Sequence, residues 1–205
     1  MGRIYFYKMI VDNGGAPCIQ DGFLSLAICK PRIRCSGDVG DLIFGFAANS
    51  MHADNRLIYA ARITATIRNG EYFRDRKWRD RRDCIYEWRR DRFEWRPGAL
   101  YHGPKNLGHD LGHPPVYDRA HVLLSHDFRY LGAKEDSSYK DRFPLIKQAV
   151  ELLAIGERIN HPEGLRREFL ELAQQLWAET PDVTAEESSN DREQQCNEDR
   201  GDSEK

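Results

Sequence analysis

FLSLAICKPRIRCSGDVGDLIFGF, residues Phe23 to Phe46, is the stretch whose reading decides the fold. Two runs rich in β-branched and aromatic residues, Phe23 to Cys29 and Asp41 to Asn49, flank a connector that holds Pro31, Ser36, Gly37 and Gly40. Strand, turn, strand is the expectation, because those connector residues break strands and make turns. The connector also carries charge: Lys30, Arg32 and Arg34 place three cations at the mouth of an apolar hairpin, and Gly37 and Gly40 let backbone amides approach a ligand. Such a mouth suits a phosphate or a carboxylate. The plainer alternative is that the cations line a solvated face and the glycines only turn the chain.

Outward from this segment the chain reads as strands first. Arg3 to Val11 is dense in Tyr, Phe and Ile and ends at Asp12-Asn13-Gly14-Gly15. Leu57 to Ile67 alternates Leu57, Tyr59, Ala61, Ile63, Ala65 and Ile67 against a second face with Arg62 and the threonines, which predicts one long strand with a buried face. His121 to Leu131 returns to strand. Toward the C-terminus two amphipathic helices are expected. One is capped by Asp141, admits Pro144 in its first turn, buries Leu145, Ile146, Ala149, Leu152 and Leu153, and stops at Gly156. The other starts at Pro162 and buries Leu165, Phe169, Leu172 and Leu176. The fold class expected is α+β: a curled, mostly antiparallel sheet or small β-barrel with the helices packed on it. Residues 1–178 form the domain, with a β-rich core over 1–132 and helices over 141–178.

Charge separates the body from the end of the chain. Glu179 to Lys205 holds ten acidic residues against three basic ones, a net of −7 that leaves +5 on residues 1–178. With almost nothing to bury after Val183, this segment is expected to be a disordered acidic tail. The five cysteines are odd in number and include no CxxC pair, so reduced thiols are expected rather than a disulfide framework or a zinc ribbon. No apolar run approaches a membrane span and no signal peptide opens the chain, so a cytoplasmic location and no membrane partner are expected.

Two segments are chemically loaded. Glu71 to Arg96 carries ten Arg/Lys and seven Asp/Glu, interleaved with Tyr72, Phe73, Trp78, Tyr86, Trp88, Phe93 and Trp95. Guanidinium groups hold phosphates and π-faces stack on bases, so this composition suits single-stranded nucleic acid. It suits equally an insertion whose aromatics plug the sheet and whose charges pair on the surface. Tyr101 to Leu131 holds five of the seven histidines. His109, Asp110 and His113 have the look of helical metal ligands, but Gly103, Pro104, Gly108, Gly112, Pro114 and Pro115 argue for a loop with polar tips. No metal site is expected, and the sequence names no cofactor.

The runs GGAPCIQDGFLSLAICKPRIRCSGDVGDLIFGFA, LIYAARITATIRNGEYFRDRKW and HVLLSHDFRYLG resemble the nucleotide modification associated domain 2 family over roughly Ile4 to Gly132. The features that carry the resemblance are Cys29-Lys30-Pro31 with Ile33-Arg34, Gly40-Asp41 with Gly45, Glu71-Tyr72, and Ser125 with Asp127, Phe128, Tyr130 and Gly132. Leu131, where an aromatic is expected, and the charged expansion from Arg79 to Arg92 depart from the pattern. The resemblance implies association with systems that modify bases in DNA or free nucleotides, with a nucleotide or nucleic acid and other proteins of such a system as partners. It implies no particular reaction.

Three functional readings follow. In the first, a base-recognising module, Lys30 and Arg34 hold phosphate, the turn from Gly37 to Gly40 supplies backbone donors, and Tyr72, Trp78 or Tyr130 stacks on a displaced base. In the second, an enzyme acting on the base or nucleotide, Asp41 or Asp127 is the general base and His102, His109 or His113 the proton donor. The third is a non-catalytic scaffold. Asp41 or Asp127 within hydrogen-bond reach of a histidine in the pocket that contains Lys30 and Arg34 would favour the enzyme.

Overall fold

Alternation on the first strand sets the layering. Ile4 and Phe6 point one way and Tyr5, Tyr7 and Met9 the other, and all five are buried, so this strand must have a layer on each face. A computed structural model describes residues 2–132, 137–154 and 156–179 and shows both layers. Strands β1 (Ile4–Met9), β4 (Leu42–Ala47), β5 (Leu57–Arg62), β10 (Asp127–Tyr130) and β11 (Glu157–Arg158) form one sheet in the order β10-β5-β4-β1-β11. Strands β2 (Cys18–Gln20), β3 (Phe23–Leu26), β6 (Ala65–Ile67) and β9 (Val122–Ser125) form a second, in the order β2-β3-β9-β6. β1 and β4 run parallel and every other pair antiparallel. Neither sheet closes into a barrel, and the class is α+β.

Between the sheets lie Tyr5, Tyr7, Leu24, Leu26, Ile43, Tyr59, Leu123 and Phe128. The other face of the first sheet is covered by helices α4 (Tyr139–Arg142), α5 (Pro144–Leu152) and α6 (Glu163–Glu179). Phe169 of α6 sits 5.2 Å from the Phe6 ring and 4.9 Å from Phe44, a burial that stabilises by ~1.5–3 kcal/mol. The outer face of the second sheet is capped by the insertion, with α2 (Glu71–Arg74), the hairpin β7 (Tyr86–Arg89) and β8 (Arg92–Trp95), and α3 (Leu107–Leu111).

Several expectations are corrected. Phe23 to Phe46 is not a hairpin: β3 and β4 belong to different sheets, and the connector folds into helix α1 (Pro31–Ser36). Pro31 occupies the first turn of that helix, where its missing N–H costs nothing. The run Leu57 to Ile67 breaks at Ile63-Thr64, where Ile63 N–H donates to Asp41 and Thr64 N–H to Leu124, so β5 and β6 enter different sheets. His121 to Leu131 divides the same way into β9 and β10. The histidine segment does contain a helix, α3, stopped by Gly112 at φ 82°. Asp141 caps nothing; it lies inside α4, and Leu145 and Leu152 of α5 face solvent.

No helix among the described residues is long and apolar enough to cross a membrane. The segment expected to be an acidic tail lies, from residue 180, outside the described residues.

Candidate functional site

Where β3 ends, the chain enters a tight corner before α1. Cys29 has φ 57° and Lys30 φ 40°, both in the left-handed region that side chains with a Cβ avoid. His102, between β8 and α3, is a third such residue at φ 52°. Each costs ~1–3 kcal/mol and persists only where surrounding bonds dictate it. Here those bonds come from two buried side chains.

The first is Arg34, wholly buried one turn into α1. Its Nε donates to the Cys29 carbonyl (2.6 Å), its Nη1 to the carbonyls of Arg119 (2.7 Å) and His121 (2.6 Å), and its Nη2 to that of Asp110 (2.6 Å). The second is Asp110 of α3, also wholly buried. Its Oδ1 accepts from the Cys29 backbone N–H (2.9 Å), and its Oδ2 accepts from the Tyr86 hydroxyl (2.7 Å). Together they bring three stretches of chain to one corner.

Within that corner the side chains form a line. The Cys29 Sγ lies 3.2 Å from His102 Nε2, and His102 Nδ1 lies 2.6 Å from Asp110 Oδ2. Burial alone would raise the Asp110 carboxyl, but the bonds from His102 and Tyr86 and the charge of Arg34 outweigh it, and its pKa lies below the ordinary value. The His102 imidazole is pushed up to about 10, first by its bond to Asp110 and then by its bond to Cys29. A thiol, an imidazole and a carboxylate in sequence are the components of an activated nucleophile, the carboxylate fixing the imidazole's tautomer and the imidazole exchanging a proton with the sulfur.

The line opens into a cavity of about 810 Å³. Tyr7, Met9, Ile28, Leu100 and Tyr101 give it an apolar lining, and Lys30, Arg32 and Arg119 put cations on its wall. The Lys30 ammonium sits 4.7 Å over the Tyr7 ring and enters no ion pair among the described residues; burial lowers its pKa. Arg32, by contrast, is held by Glu157 at 2.7 Å. His109 lines the cavity too, with Nδ1 3.2 Å from Asp110 Oδ1. Among the described residues no group of three His, Cys, Asp or Glu side chains is placed to hold a metal ion.

Of the residues singled out from sequence, the cavity brings together Lys30, Arg32, His102 and His109. Arg34 lies behind its wall, and its guanidinium, spent on four carbonyls, has no face for a phosphate. The other candidates lie elsewhere. Asp41 accepts from Arg3 N–H (2.5 Å) and Asp38 N–H (2.9 Å) and pins the start of β1 to the turn at Gly40. Asp127 accepts from Arg62 (2.9 Å) and from the Trp177 indole, clamping α6 to the first sheet. Gly37 ends α1 against Leu123 and Ile63, and Gly40 turns the chain at φ 89°. Tyr72 is buried with its hydroxyl 2.6 Å from Asp83, Trp78 stacks on Tyr72, and the Tyr130 hydroxyl donates to Asp12. His113 follows α3 on the exposed side. Two residues that the sequence reading did not select, Cys29 and Asp110, complete the line.

A family model described as nucleotide modification associated domain 2 matches residues 1–139. No curated protein and no solved structure matches the chain.

Proposed function

Because the chain belongs to the nucleotide modification associated domain 2 family, we propose that it is an enzyme of nucleotide modification in which Cys29 attacks a nucleotide or nucleobase held in the cavity. The observation that carries this reading is the line Cys29 Sγ, His102, Asp110 at 3.2 and 2.6 Å. A module that only binds has no use for a thiol held in line with an imidazole and a buried carboxylate. Recognition is the first step of the same act: the Tyr7 and Tyr101 side of the cavity receives the base, and Lys30 receives an anionic group of the substrate.

The Cys29 thiolate forms a bond to an electrophilic carbon of the substrate, with the protonated His102 as its counter-ion. The electron pair released from that carbon goes to an attached nitrogen or oxygen, which takes the proton from His102 Nε2. Water then attacks the carbon, gives one proton to His102 Nε2, and the C–S bond breaks with the sulfur leaving as thiolate. Asp110 takes no proton; it keeps Nδ1 of His102 protonated and Nε2 facing the sulfur.

The test is intact-mass analysis after incubation with nucleoside monophosphates and oligonucleotides, together with nucleoside profiling of cells expressing wild type or Cys29→Ser. The expected result is an adduct at Cys29 and a nucleoside change lost in the variant. Full retention of the nucleoside change in Cys29→Ser would refute the thiol chemistry.

A further inference from the structure

The Arg/Asp-rich insertion contributes aromatic plugs, as half of its composition suggested: Tyr72, Phe73, Tyr86 and Phe93 are buried. Its basic residues are not all accounted for by pairing. Arg81 is buried against Asp83, Lys77 pairs with Asp75, Arg89 with Glu87 and Arg92 with Glu94. Arg74, Arg76, Arg79 and Arg96 pair with no carboxylate among the described residues, and these four line one crevice of about 220 Å³ between α2 and β7. The acidic residues of its wall, Asp75 and Glu87, are the ones already engaged by Lys77 and Arg89.

Two of the four have work within the fold. The Arg74 guanidinium lies 4.1 Å over the Trp88 ring and 4.8 Å over Phe93, and Arg96 Nη1 donates to the carbonyls of Arg79 (2.6 Å) and Cys84 (2.7 Å). Arg74 Nη1 also donates to the Asn69 carbonyl (2.5 Å), so both guanidinium groups are held through Nη1 while their Nε and Nη2 have no hydrogen-bond partner among the described residues. Arg76 and Arg79 are exposed and make no side-chain hydrogen bond or ion pair among the described residues. Like charges gathered without counter-ions repel, and an anion removes that cost.

One buried side chain links the crevice to the Cys29 site, although the two share no lining residue. Tyr86 lines the crevice, while its hydroxyl donates to the Asp110 oxygen that holds His102. A mononucleotide in the Cys29 cavity has its phosphate at one place only. A strand has phosphates on both sides of the base it presents, and a base in a recessed cavity must be unpaired.

We infer that the arginine crevice is a second binding site, for the phosphodiester backbone of a single-stranded polynucleotide whose neighbouring nucleotide enters the Cys29 cavity. The choice of a strand rests on the nucleotide reading of that cavity; the anion site itself rests on the arginines alone.

The experiment is fluorescence anisotropy with labelled dT and U oligonucleotides of about 12 nucleotides, within the span single-strand binders occupy, across a salt series. Wild type, Arg76→Ala/Arg79→Ala and Arg76→Lys/Arg79→Lys are compared, with thermal melts. The expected result is a fall of ~10-fold or more in affinity for the Ala pair, with a salt slope smaller by about 1.4, since each single-strand phosphate contact contributes about 0.7. The Lys pair, which keeps both charges, should bind nearly as wild type. Unchanged affinity and slope in the Ala pair overturns the site, as does full displacement of the oligonucleotide by equimolar mononucleotide. Loss of the Cys29 adduct with crevice-dependent binding intact would sink the thiol chemistry and leave this site standing.

Discussion

Replacing Asp110 with Asn keeps the shape of a buried side chain and removes its charge. All four groups that face it are donors: the Cys29 N–H and His109 Nδ1 at Oδ1, the Tyr86 hydroxyl and His102 Nδ1 at Oδ2. An amide has one acceptor oxygen. Placed at the Oδ2 position, it keeps His102 and Tyr86 but aims its NH2 at the Cys29 N–H, donor against donor. Placed at Oδ1, it aims its NH2 at His102, which must then carry its proton on Nε2, toward the sulfur. Either arrangement leaves a buried donor unpaired at ~1–3 kcal/mol and weakens charge-assisted bonds, for a total of about 2–4 kcal/mol. At this chain length that is a fall in Tm of roughly 5–15 °C. The functional effect is separable. With Asp110 neutral, the largest of the causes that push His102 up to about 10 is removed and its pKa falls, so the imidazolium beside Cys29 is depleted at pH 8. Alkylation of Cys29 by iodoacetamide at that pH, followed by peptide mass mapping, should slow ~10-fold or more in Asp110→Asn. Wild-type alkylation together with a lowered Tm would make Asp110 a structural strut and remove the relay from the argument. Wild-type values of both would contradict the burial and bonding on which the argument rests.

Three further outcomes are expected. Arg34→Lys, which keeps the charge, should lower Tm by ~5 °C or more in thermal melts, because one ammonium cannot reach four carbonyls and at least one buried acceptor costs ~1–3 kcal/mol; an unchanged melt would show that the four bonds are dispensable. His102, its pKa raised above the unfolded value, contributes stability that is full below about pH 6.5 and lost as pH rises through about 10. The Tm gap between wild type and His102→Gln should therefore be widest at about pH 6 and close by about pH 10.5, and a gap independent of pH would contradict the pairing. Gly45→Ala puts a Cβ 2.3 Å from the Tyr59 ring and 2.9 Å from the Met9 sulfur, so chemical denaturation should show a loss of ~1–3 kcal/mol, and a neutral result would mean that β4 can shift away from Tyr59.

What the sequence made legible follows from how local each cause is. The density of β-branched and aromatic residues along Ile4–Met9 and Leu42–Ala47 and the helical spacing of Leu165, Phe169, Leu172 and Leu176 are local, and the strands, the last helix and the α+β class could be read from them. Sheet membership is not local. The period of Leu57 to Ile67 runs unbroken across Ile63-Thr64, so nothing in it marks the point where the chain leaves one sheet for the other. Helix α1 is too short to show a period, and its one sign, Pro31 in the first turn, reads equally well as a turn. At the site, Lys30 and His102 were visible as charged and titratable groups in otherwise apolar or glycine-rich surroundings. Arg34 was visible for the same reason and misread, since its carbonyl partners at Arg119 and His121 lie 85 and 87 residues away. Cys29 and Asp110 were missed because cysteine was weighed for disulfides and zinc and Asp110 only as part of a metal motif. A cysteine ahead of Lys-Pro, with histidine and aspartate elsewhere in the chain, was the available signal.

Strain at the corner bears on the choice between binding and chemistry. Cys29, Lys30 and His102 all hold left-handed backbone at ~1–3 kcal/mol each. That cost is offset by a buried guanidinium and a buried carboxylate, themselves expensive to place away from water. A pocket for a base and a phosphate could be lined without either: Lys30 and Tyr7 would serve on an unstrained turn. What the strained corner adds is the position of one sulfur, 3.2 Å from an imidazole that a carboxylate orients from behind. Tyr86 extends that arrangement outward, since the insertion that carries the arginine crevice also carries the hydroxyl that holds Asp110. The insertion is thereby part of the site, and a strand seated on its arginines would bear on the same tyrosine that steadies the relay.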